Sequence, residues 1–144
     1  MSKLFRAALC VCMTLAGCDR LPSPVLLSDT CAIDVPARGR AVERGAQMHI
    51  GGWAFDGISG LSPEDVYLQL IFEDQRSVKS LNAPRGAKRP DVVKAYAMPG
   101  AEDSGFNVVV DTSVLDQGRY TIYVLQKTKD RTLLCAKDFH FTLK

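Results

Sequence analysis

Three stretches of this chain alternate inward-type and outward-type residues with a period of two, and that period leaves room for little except β-structure. Val66, Leu68, Leu70 and Phe72 alternate with Tyr67, Gln69, Ile71 and Glu73; Phe106, Val108 and Val110 with Asn107 and Asp111; Tyr120, Ile122 and Val124 with Thr121, Tyr123 and Leu125. Turn signals fall between such runs at Asp56-Gly57, Ser62-Pro63, Glu73-Asp74-Gln75, Pro84-Arg85-Gly86, Asp116-Gln117-Gly118 and Thr128-Lys129-Asp130. Short strands at this spacing predict an all-β, antiparallel sandwich of about seven strands. The adjacent glycines Gly51-Gly52 inside the apolar run from Met48 to Phe55 predict a bulge or a close backbone approach. One short helix is expected, opening with Pro90 as its first residue and running through Val92, Val93 and Tyr96.

The N-terminus has a different logic. Lys3 and Arg6 precede an apolar run from Ala7 to Ala16, too short to span a bilayer and of the length of a signal-peptide core. It ends in Leu15-Ala16-Gly17-Cys18. Small residues before a cysteine let an extended backbone enter a peptidase, and the thiol can then take a diacylglyceryl group. The motif is the lipobox of bacterial lipoproteins, so residues 1–17 are expected to be a signal peptide and Cys18 the lipidated residue. Residues 18–30, with Pro22 and Pro24, are expected to be a tether reaching about 35 Å at about 3.1 Å per residue. Val25-Leu26-Leu27 is also a candidate edge strand, and residues 31–144 are the expected domain. The location implied is the bacterial cell envelope, facing the periplasm; Asp19 after the lipidated cysteine leans toward inner-membrane retention.

Cysteine arithmetic agrees with export. Of the five cysteines, Cys10 and Cys12 would leave with the signal and Cys18 would carry lipid. Cys31 and Cys135 remain as a candidate disulfide in an oxidising compartment, with two separate buried thiols as the alternative.

No cofactor, metal or catalytic signature stands out. His49 and His140 are the only histidines and lie far apart, without a second ligand at metal spacing. No Gly-x-Ser-x-Gly elbow, phosphate loop or His-Glu-x-x-His motif occurs. Trp53, between Gly52 and Ala54-Phe55, is expected in the core and not as a sugar-stacking platform. The chain has 18 Lys and Arg against 16 Asp and Glu, and losing Lys3 and Arg6 would balance the charge, which argues against a nucleic-acid partner. One segment departs from that balance. Arg76, Lys79, Arg85, Lys88, Arg89 and Lys94 face a single acid, Asp91, so Arg85, Lys88, Arg89 and Lys94 form a candidate anionic-ligand site beside the predicted helix. A solvated basic loop is the plainer explanation.

Gly52-Trp53-Ala54-Phe55-Asp56, Arg89-Pro90-Asp91-Val92, Ser104-Gly105-Phe106, and Leu115 followed by Gly118-Arg119-Tyr120-Thr121-Ile122 occur in an order that resembles the immunoglobulin-like accessory modules accompanying bacterial glycosyltransferases and other surface-polysaccharide proteins. The resemblance covers about residues 47–124 and implies a non-catalytic sandwich with the Trp motif on a core strand. It implies no transferase activity, since the chain carries no transferase domain. The function expected is therefore a non-enzymatic, lipid-anchored envelope module with a polysaccharide, an anionic lipid or a protein as partner. The alternative is an interference protein, an inhibitor or exclusion factor acting on one protein target.

Overall fold

A computed structural model describes residues 24–75 and 77–144. The signal segment, Cys18, the tether up to Ser23 and Arg76 lie outside the described residues.

The described chain is an all-β sandwich with one short helix. Eleven strands occur among these residues: β1 (Val25–Leu27), β2 (Cys31–Val35), β3 (Arg40–Val42), β4 (Gln47–Ala54), β5 (Asp65–Phe72), β6 (Val78–Ala83), β7 (Arg85–Ala87), β8 (Gly105–Asp111), β9 (Gly118–Lys127), β10 (Thr132–Cys135) and β11 (His140–Leu143). The surplus over about seven comes from strands of three or four residues, too short to show a period. β1 lies within the stretch read as tether, so the sheet begins before Cys31.

In the larger sheet β6 pairs with β5 and β5 with β9; the other edge of β9 is shared by β10, which carries β1, and β11, which carries β3. The smaller sheet runs β2-β4-β8-β7. Pairing is antiparallel except at β1 with β10 and β3 with β11, where a short edge strand is added in parallel.

Alternation decides what the sandwich encloses. Val66, Leu68 and Leu70 of β5, and Tyr120, Ile122 and Val124 of β9, meet Met48 and Ile50 of β4 and Phe106 and Val110 of β8 in the main core. Each fully buried aliphatic or aromatic side chain contributes about 1.5–3 kcal/mol. Tyr120 and Phe141 stack with centroids 5.2 Å apart, and the Tyr120 hydroxyl donates to the carbonyl of Asp116 at 2.9 Å. That contact is the geometry of a tyrosine corner, a feature of immunoglobulin-type sandwiches.

A second, smaller core forms on the outside of β4. Helix α1 (Pro90–Tyr96) starts at Pro90, whose missing N–H costs nothing at a first helical position, and stops at Ala97 in the left-handed conformation. It covers Trp53 and Phe55, with Tyr96 5.3 and 5.1 Å from their rings. Trp53 is therefore a core residue, as its apolar neighbours predicted.

The loop after β4 turns on Asp56. Its carboxylate accepts the Ile58 amide at 2.9 Å and pairs with Arg131 at 3.0 Å, with only 3% of its side chain exposed. Burial disfavours its ionisation, but the Ile58 amide, the Ser59 side chain and amide, and Arg131 together outweigh burial and hold the carboxyl below its ordinary value of 3.8. A depressed carboxyl stabilises the fold fully above its unfolded pKa, and that contribution is lost as pH falls through the folded value. Asp56→Asn is thus expected to cost about 2–3 kcal/mol at pH 7, less than for a fully buried pair because Arg131 keeps some exposure. In urea unfolding, the variant should also lose less stability than the parent between pH 5 and pH 2. Parallel losses over that window would contradict this role for Asp56.

Candidate functional site

Two of the four cations predicted as an anion site, Lys88 and Arg89, are held in internal ion pairs. Arg89 closes on two carboxylates, reaching Asp91 at 2.6 Å and Asp34 of β2 at 2.7 Å, with 19% of its side chain exposed. The hydrogen bond to Asp91 is the main reason the guanidinium is held well above its ordinary pKa, with burial opposing; the same bond holds Asp91 at about 2. Lys88 spans Asp103 at 2.9 Å and Glu102 at 3.4 Å, which raises its pKa, the Asp103 bond first. The exposed Arg85 donates to the carbonyl of Glu64 at 2.6 Å, and Lys94 stands exposed in the last turn of α1.

The helix start offers no free cradle either: the amides of Val92 and Val93 both donate to the carbonyl of Arg89. Arg85, Lys88 and Arg89 thus each have a partner of their own within the fold. The charges of Lys88 and Arg89 are answered in space by Asp34, Glu102 and Asp103, acids that lie outside the run. The two histidines also separate. His49 is exposed on β4, while His140 on β11 bonds Asp138 at 2.9 Å, a carboxylate that Arg38 also pairs with. The Arg38 contact and the hydrogen bond to His140 together hold Asp138 below its ordinary value, the His140 bond contributing most.

A different surface comes forward: the outer face of the larger sheet. Because Val66, Leu68 and Leu70 point inward, Tyr67, Gln69 and Ile71 must point outward, and the register extends this across the sheet. Asn82, Tyr67, Leu125, Leu134 and Leu27 form one row across β6, β5, β9, β10 and β1. Ser80, Gln69 and Tyr123 form the next row, and Val78, Ile71, Thr121 and His140 a third. Five strands at about 4.8 Å spacing make the first row about 19 Å wide.

Apart from His140 these rows hold no acidic or basic side chain; the charges sit at strand ends, as with Asp65 opposite Lys127 and Glu73 beside Arg119. At the third row the surface dips into an open hollow of about 330 Å³ bordered by Ile71, Val78, Thr121 and Tyr123, with Glu73 and Gln75 at its turn end. The outer face of a solvated antiparallel sheet is ordinarily polar and charged. Here it presents two tyrosines, aliphatic side chains and neutral polar groups, the composition that serves recognition surfaces.

The sequence reading did not single out this face. Its signal was present nonetheless, in outward positions of the alternation occupied by Tyr67, Ile71, Tyr123 and Leu125 where lysine, glutamate or threonine would be usual.

No protein-family model matches the chain, and no curated protein matches it.

Proposed function

We propose that this protein is a lipid-anchored, non-enzymatic module of the bacterial cell envelope that binds a protein partner through the outer face of its larger sheet. The observation that carries the reading is that uncharged, tyrosine-bearing face. A partner surface apolar at its centre would lose little on docking there, because few charges have to be stripped of water. The engagement of Lys88 and Arg89 by carboxylates speaks against an acidic glycan or an anionic headgroup as the main ligand. The lipobox ending at Cys18 supports attachment and export, and the motif resemblance to accessory immunoglobulin-like modules fits a binding role.

A photoreactive residue placed at Tyr67 or Tyr123 in cells should trap one discrete protein adduct. The same residue at Val109, exposed on the smaller sheet, should trap none. Tyr67→Ala and Tyr123→Ala are each expected to weaken the complex by about 2 kcal/mol, roughly 30-fold, as central aromatic contacts do. Adducts from Val109 alone, or a glycan retained equally by parent and Tyr variants, would reject this face.

A further inference from the structure

The corner where β1 meets the loop after β4 carries apolar side chains that nothing in the fold requires to be exposed. Leu27 is 78% exposed, Ile58 74% and Val25 62%. Leu26, Leu27 and Ile58 border one open hollow with Leu133, and the exposed Asp29 stands at its edge. Ile58 is not on a loose loop. Asp56 accepts its amide at 2.9 Å, the Gly60 amide donates to the Asp56 carbonyl at 2.7 Å, and Asp56 bridges Leu61, so the turn holds the isoleucine outward. β1 is moreover an edge strand, and edges facing water are usually blunted by charge. Val25-Leu26-Leu27 brings none.

We infer that this corner is a membrane-contacting rim, seated on lipid when Cys18 is acylated; the inference rests on the reading of Cys18 as the anchor. Chain length carries the choice of a bilayer over a protein as occupant. Pro24, the first described residue, is six residues after Cys18, and six residues span at most about 20–22 Å. The acyl chains therefore hold Pro24 within that distance of the bilayer surface, and the parts of the domain kept nearest to lipid are the corner that follows Pro24 directly and the turn 128–131, whose next residue, Thr132, donates its amide to the Pro24 carbonyl at 3.1 Å. Apolar side chains held outward at this place can enter the headgroup boundary, which adds to the hold of the acyl chains. The same seating gives the Leu27 end of the first row to lipid and leaves β5, β6 and β9, on the far side of β10 from β1, free for a partner.

The test uses the full, lipidated chain in phosphatidylcholine vesicles, with an environment-sensitive fluorophore at Leu27→Cys, Ile58→Cys or, as reference, Val109→Cys. Lipids carrying a nitroxide should quench emission at positions 27 and 58 and leave position 109 unchanged. Equal emission at all three positions overturns the rim while leaving the anchor intact. A blue shift at 27 and 58 without quenching by nitroxide lipid means that protein covers the corner, and overturns it as well. Cys18→Ser separates the two ideas: it should release the chain from the vesicles, and a chain that does not float with vesicles even with Cys18 present removes the anchor and the rim together.

Discussion

Gly52→Ala is expected to cost about 3 kcal/mol or more, whereas Gly51→Ala, one residue earlier, should cost about 1 kcal/mol or less. A Cβ at position 52 would lie 2.0 Å from the carbonyl oxygen of Ala32 and 3.1 Å from the Cα of Ile33, both backbone atoms of β2. Backbone in a paired strand cannot rotate aside as a side chain can, so β2 would have to lift away from β4. That movement would break the pairing of Ile33 with Gly52 and of Cys31 with Ala54. A Cβ at position 51 meets the Val35 Cγ2 atom at 3.3 Å, and Val35 is half exposed with room to turn. Urea unfolding of the two variants side by side checks this. A Gly52→Ala protein within about 1 kcal/mol of the parent would show that β2 does not pass so close to β4.

This contrast shows how far sequence reaches. The pair Gly51-Gly52 announced a bulge or a close approach, and both are present: β2 shifts register against β4 between Ile33 and Val35 at this place. Which glycine is indispensable was not legible, because that depends on the path of β2, some twenty residues away in sequence. The long strands β5, β8 and β9 were legible through their period, and α1 through Pro90. β1, β3 and β7 were not assigned with the same ease, since three residues carry no period and are held by their neighbours. The far end of β9 was missed because Gln126, fully buried, continues the inward series of Tyr120, Ile122 and Val124 with a polar residue.

The engagement of Lys88 and Arg89 was not legible for a related reason. Charge counted along the sequence leaves out Asp34 and Asp103, which fold back onto Arg89 and Lys88. The outer face of the larger sheet is written in the outward half of the alternation, whereas the inward half is what marks a strand.

The disulfide is the largest single contribution expected. Cys31 lies at the start of β2 in the smaller sheet and Cys135 at the end of β10 in the larger one, so their bond joins the two sheets across the core. The cysteine count pointed to this pair by elimination, but that they bridge different sheets follows only from the topology. Their Cα atoms are 6.3 Å apart, within the range a disulfide spans without moving backbone, and 104 positions separate them. Closing a loop of that size restricts the unfolded chain by about 4.7 kcal/mol in the chain-entropy model. Both sulfurs belong to fully buried residues, so Cys31→Ala with Cys135→Ala also removes packed atoms and adds about 1 kcal/mol or more. The double variant is expected to lose on the order of 15 °C in Tm. Reduced parent should lose nearly as much, since it keeps the packing and lacks only the link. Were reduction to leave the Tm unchanged while the double alanine variant lost stability, the cysteines would be acting as buried apolar side chains and the cross-sheet tie would contribute nothing.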